Sequence, residues 1–203
     1  QTLSLQLFRD YSITNSTLHQ TLQDTSKYFT LNIDHLSKLM VLFTGIFAFL
    51  ISIYSLLYVS SRKQVFHYYS FYLITLGCSI GALLADNLIL FIFFWGILGF
   101  TLYKLIKSKD EESSAAAKKT LIIIGSSDGI MIIGIAIIWQ LTGTLNMSEL
   151  SISTSSSLAI TAFITLLIGS FTKAGAFPFH TWIPDFSKNA PASSTAYLPA
   201  SLD

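Results

Sequence analysis

Charge is what this sequence has least of. Only 11% of its 203 residues are Asp, Glu, Lys or Arg, where soluble domains carry roughly a quarter, so an ordinary water-facing globular surface is excluded. A net charge of +1 leaves no field that would gather nucleic acid or an acidic substrate. The single cysteine, Cys78, excludes an internal disulfide and a thiolate metal cluster; it lies in an apolar run and reads as packing. With no cysteine cluster and no glycine loop to cradle phosphate, nothing in the sequence holds a nucleotide, a flavin, an iron–sulfur centre or a metal, and no cofactor is expected. Residues 1–33 lack the charged-then-apolar pattern of a signal peptide.

Apolar residues are abundant instead, at 52%, and the mean hydropathy is +0.60. Roughly 20 apolar residues cross a bilayer, and five runs reach that scale, at about 36–59, 66–84, 88–106, 120–139 and 158–183. The expected fold is an all-α polytopic membrane bundle, with residues 1–33 as an extramembrane segment and 34–203 as the membrane domain. Asp34 is placed to cap the first helix. The pairs Gly77/Gly81 and Gly125/Gly129 have the small-residue spacing that lets a neighbouring helix approach. Residues 104–119, with Asp110, Glu111 and Glu112 in the middle, read as a charged, solvated loop. Asn15-Ser16-Thr17 fits a glycosylation sequon, a pattern short enough to arise by coincidence. The chain does not begin with Met and ends as a further segment begins, which reads as a piece of a longer protein.

The polar loops sort by charge. Residues 60–64 and 104–119 fall on one side and are rich in Lys and Arg; the turn at Asp86 and the loop 143–157 fall on the other and have neither. The positive-inside rule makes the basic side cytoplasmic.

Two ionisable residues interrupt the apolar runs. Lys173 follows the run from Leu158 to Phe171, and Pro178 comes five residues later. Proline has no N–H and its ring clashes with the carbonyl four residues back, here Ala174, so a helix break is expected at Pro178. Such breaks at membrane depth are tolerated only inside protein or along a wet cavity. Two readings stand for Lys173: an intramembrane functional charge, or a helix-end lysine that snorkels to the interface. Asp128 lies within Gly125-Ser126-Ser127-Asp128-Gly129, and either hydrogen-bonds a neighbouring helix or faces a hydrated path.

The stretch Thr172-Lys173 followed by Phe177-Pro178-Phe179-His180-Thr181-Trp182-Ile183-Pro184-Asp185 resembles the hallmark of the proton-translocating antiporter-like subunits of respiratory complex I, multisubunit cation/proton antiporters and membrane-bound hydrogenases. Ile33-Asp34-His35-Leu36-Ser37, Ala85-Asp86-Asn87, Ser127-Asp128-Gly129, Thr142-Gly143-Thr144-Leu145 and Glu149-Leu150 resemble further family motifs in the same order. The resemblance implies a fragment spanning the family's helices three to seven and the start of eight, with a discontinuous helix near Lys173. It implies Lys173, Asp128 and His180 as proton-translocation residues, in an integral protein of a bacterial-type cytoplasmic membrane, beside other membrane subunits and with protons or Na+ as cargo.

One position departs from the family. There the tryptophan of the fifth helix precedes a glutamate that pairs with the broken-helix lysine, and here Trp95 precedes Gly96. The function implied is a non-catalytic membrane subunit of an ion-translocating respiratory-type complex, NADH:quinone oxidoreductase-like or hydrogenase-like. It would move protons or exchange Na+/H+ through a buried lysine channel coupled to redox chemistry in other subunits. The alternative is a degenerate subunit that serves as an anchor, which the missing carboxylate favours, or in an inorganic-carbon uptake module, which the resemblance allows.

Overall fold

The computed structural model describes residues 2–4, 29–56, 62–106, 111–153, 156–190 and 192–198. The Asn15 sequon and residues 60–61 lie outside them, and Arg62–Gln64, expected as part of a turn, are helical. Among the described residues the helices are α1 (His35–Ser55), α2 (Arg62–Leu84), α3 (Leu88–Ile106), α4 (Glu111–Thr142), α5 (Ser157–Lys173), α6 (Trp182–Asn189) and α7 (Ala192–Tyr197). Strands β1 (Thr2–Ser4) and β2 (Thr30–Asn32) pair antiparallel. α1, α3 and α4 are long and apolar enough to cross a membrane, and α5 is a shorter apolar helix.

Each helix lies against its sequence neighbours through α5, and α4 also carries α6. Asp34 caps α1: its carboxylate accepts from the Ser37 amide at 2.6 Å while Ser37 Oγ accepts from the Asp34 amide at 2.9 Å. Those two bonds satisfy amides that the helix itself leaves open, and the Ser37 amide, with the Ser37 hydroxyl beside it, holds the Asp34 carboxyl below its ordinary range. The cap therefore contributes fully above the unfolded carboxylate range and fades as pH falls through the lowered folded value. Most of the outer face of α1 is apolar and exposed, including Leu36, Phe43, Phe49 and Leu50, as a lipid-facing helix requires.

α4 begins earlier than the apolar run. Residues 111–119, read as loop from their charge, are helical and bury Ser113, Ala116 and Ala117. Ala, Glu and Lys are strong helix formers, and Glu111 and Glu112 stand where the helix dipole favours anions. The close helix approaches also fall elsewhere than Gly125 and Gly129, where an added Cβ would meet nothing within 4 Å. At Gly134 a Cβ would stand 2.2 Å from Thr165 Oγ1 and 3.2 Å from the Ala162 carbonyl, and at Gly81 it would enter the Phe94 ring. The α4–α5 seam is thus set at Gly134, one to two turns beyond the predicted pair.

The two ends of the bundle differ chemically. At one end the loops without basic residues are sewn together: Ser148 donates its amide and hydroxyl to Asp86 at 3.0 and 2.8 Å, and Asn87 Nδ2 donates to Asn146 Oδ1 at 2.9 Å. At the other end α6 is tied to the start of α4 by Lys119–Asp185 at 2.5 Å and Lys188–Glu112 at 3.6 Å. These pairs are exposed, and each contributes about 0–1 kcal/mol.

Gly134→Ala is expected to destabilise the α4–α5 seam by about 1–3 kcal/mol through overpacking, while Gly129→Ala is neutral or stabilising by about 0.5–1 kcal/mol. Thermal unfolding of the two variants in detergent measures the difference. For orientation, Ser151→Cys should react with an impermeant reagent from outside and Ser187→Cys should not; reaction of Ser187→Cys alone would reverse the assignment.

Candidate functional site

Two apolar clusters fill the bundle. One gathers Tyr72, Leu98, Leu102, Ile124, Trp182, Phe186 and Tyr197, and the other gathers Leu88, Met131, Ile135, Ile138 and Ala162 with Trp95 packed against it. The polar residues occupy the seam. On α3, Trp95 belongs to the second cluster and Leu98 to the first; on α4, Asp128 lies between Ile124 and Met131.

Lys173 is the last residue of α5 and is 1% exposed. Its Nζ donates to the Trp95 carbonyl at 2.7 Å and lies 4.1 Å from the centre of the Trp95 ring. A helical carbonyl retains a second lone pair for such a donor, and a desolvated cation over an indole face is held by about 2 kcal/mol or more. The ammonium is therefore turned inward across the bundle, which excludes the snorkelling reading. The same tryptophan meets Asp128: Trp95 Nε1 donates to Asp128 Oδ1 at 2.8 Å. One turn along α3, the other carboxylate oxygen, Oδ2, lies beside Gly99, at the ordinary contact distance of 3.8 Å from where a Cβ would stand. Asp128 thus hydrogen-bonds a neighbouring helix, and that helix is the one Lys173 also contacts.

α5 ends at Gly175. The Gly175 amide donates to the Thr172 carbonyl at 3.2 Å and the Ala176 amide to the Phe171 carbonyl at 2.9 Å, the paired bonds of a Schellman termination. Gly175 has φ of +64°, a left-handed conformation that costs other residues about 1–2 kcal/mol. Its missing side chain also admits Ile183, whose Cδ1 would lie 1.8 Å from an added Cβ. Pro178 follows in the linker, five residues after the last residue of α5 and three after Gly175, so the break assigned to it belongs to Gly175. Trp182 Nε1 donates to the Thr172 carbonyl at 2.8 Å, and Trp182 is fully buried. This indole returns the chain to the end of α5 and starts α6.

The remaining candidates stand apart from the cluster. His180 is exposed in the linker, with its ring stacked on Phe177 at 5.8 Å. Gly96 is exposed on α3, and a Cβ there would meet nothing within 4 Å. Sequence reasoning passed over Trp95, Gly175 and Trp182. A tryptophan in an apolar run carries one available signal, an N–H that needs a partner when buried.

Residues 85–202 match the family described as NADH:quinone oxidoreductase/Mrp antiporter, TM, and the chain belongs to that transmembrane family. It is 33% identical to a Na(+)/H(+) antiporter subunit of Alkalihalophilus pseudofirmus over 178 residues, covering 84% of this chain and 22% of the relative. Against the corresponding Na(+)/H(+) antiporter subunit of Staphylococcus haemolyticus it is 34% identical over 177 residues, with the same coverage of 84% and 22%. The chain spans about a fifth of the length of these curated relatives. Its fold is shared with a chain of the Mrp complex from Dietzia sp., with a TM-score of 0.79 at 22% identity over 85% of this chain and 20% of that one. It is shared too with a chain of respiratory complex I from Thermus thermophilus, with a TM-score of 0.69 at 24% identity over 84% and 40%. A chain of an archaeal membrane-bound sulfane sulfur reductase gives 0.75 at 22% identity over 85% and 37%.

Gly175→Ala is expected to destabilise by at least the left-handed penalty of about 1–2 kcal/mol, because Ile183 must also move. The check is the thermal stability of the assembled membrane protein; an unchanged midpoint would contradict the termination described here.

Proposed function

We propose that this chain is part of a membrane subunit that moves protons within a multisubunit complex, and that Lys173 takes up and releases them. The observation that carries this reading is the placement of Lys173: a fully buried ammonium at the end of an interrupted helix, on the same tryptophan as a carboxylate from a third helix. A buried lysine readily shifts its proton affinity, and intramembrane ionisable residues mark ion pathways. Family membership supports the same reading, since the curated relatives are named for Na(+)/H(+) antiport. Protons therefore stand as the cargo at Lys173, with Na+ as the exchanged ion where the parent complex is an antiporter. Where it is a respiratory complex, the redox chemistry belongs to other subunits, and this chain remains non-catalytic.

Gly96 supports a second reading, an anchor that moves nothing, because α3 carries no carboxylate beside its tryptophan. The two readings separate on Lys173→Ala. In a proton-moving subunit the variant assembles, and proton flux in sealed vesicles carrying the complex falls to background. In an anchor the change is silent or stabilising, since it removes a buried charge. Unchanged flux in an assembled Lys173→Ala complex would overturn the proposal.

A further inference from the structure

The family pairs its broken-helix lysine with a carboxylate on the helix that carries the tryptophan, and this chain has Gly96 there. We propose that Asp128 on α4 is the charge partner of Lys173 and that Trp95 is the positioning residue that couples them. The inference rests on the proton-moving reading above and adds to it the source of the lysine's counter-charge.

Geometry carries the assignment. Trp95 contacts both groups with different parts of itself. Its indole N–H donates to Asp128 at 2.8 Å, its carbonyl accepts from Lys173 Nζ at 2.7 Å, and its ring faces that nitrogen at 4.1 Å. The N–H fixes one carboxylate oxygen, and the other lies beside Gly99 of α3. A single residue thereby holds an anion and a cation at the seam between two apolar clusters, where little water screens them and their attraction is strong.

Among the described residues of α3, α4 and α5, the other charges stand away from that seam. α5 carries no charged residue before Lys173. α3 brings Lys104 only near its far end, over the Phe100 and Tyr103 rings. α4 brings Glu111, Glu112, Lys118 and Lys119 in its first turns, with Glu112 and Lys119 paired to Lys188 and Asp185 of α6. Asp128 is the carboxylate in the middle of the bundle among the described residues.

The consequence is a defined change of pH profile. A nearby carboxylate favours the charged lysine, so removing it lowers the lysine's proton affinity. Asp128→Asn keeps an acceptor for the indole and deletes the charge. Trp95→Phe keeps a ring over the ammonium and the main-chain carbonyl, and deletes the N–H. In vesicles carrying the assembled complex, both variants should move the alkaline limb of proton flux to lower pH, Asp128→Asn by about one pH unit or more, the shift that loss of a nearby opposite charge produces, and Trp95→Phe by less. The double variant should move it no further than Asp128→Asn alone. Assembly of each variant is read on native gels, so a loss of protein is not mistaken for a loss of flux. If Lys173→Ala abolishes flux while the single variants assemble with the unshifted limb, the pairing is wrong and the proton-moving reading stands. If the single variants shift the limb by independent, additive amounts, Trp95 does not act through Asp128. If Lys173→Ala leaves flux intact, the reading beneath the inference has itself failed.

Discussion

An ammonium group inside a hydrocarbon-facing bundle has no water to solvate it, and the arrangement around Lys173 answers that one demand. The charge receives a main-chain carbonyl and an aromatic face from α3, and a carboxylate on α4 accepts from the N–H of the same indole. Three helices are committed to one side chain. Two glycines set the course of α5 around it. Gly134 draws α5 onto α4, and Gly175 lets the chain leave α5 directly after the lysine. Larger residues at these two positions would enter the places that Thr165 and Ile183 occupy.

α4 is the element that α3, α5 and α6 share. It has 32 residues, about 48 Å at roughly 1.5 Å per residue, and so exceeds a hydrocarbon layer about 30 Å thick. The excess accommodates the ion pairs with α6 at its start, while its middle carries Asp128. Membership of the transmembrane family and the length of α4 account together for a helix that is charged at its beginning and apolar for most of its course.

Much of this was legible in the sequence, for identifiable reasons. Apolar runs announce α3 with little ambiguity because lipid permits few polar residues, and the block from Thr172 to Asp185 is long enough to mark the family. The interruption after Lys173 was legible as an event, although its cause was not. Proline is the conspicuous helix breaker, but Gly175 acts first, because a left-handed turn closes the last carbonyls before Pro178 is reached. Helicity at residues 111–119 was hidden behind charge, since the same Glu and Lys residues serve a solvated loop and a helix equally well. Trp95 was hidden for a different reason. Its role depends on which helices meet at its indole, and no single segment records that.

Thr172 leads to a last point about motion. Its carbonyl accepts both the Gly175 amide and the Trp182 indole, and its hydroxyl donates back to Ile168 at 2.7 Å. The main chain directly before Lys173 is therefore braced from three directions. These bonds fix the Cα from which the four-carbon stem of Lys173 springs, so the position of its Nζ is set by side-chain torsions about a braced main chain. The break in α5 is thereby a stiff mount for a buried charge, the reverse of the hinge that an interrupted helix is usually taken to be.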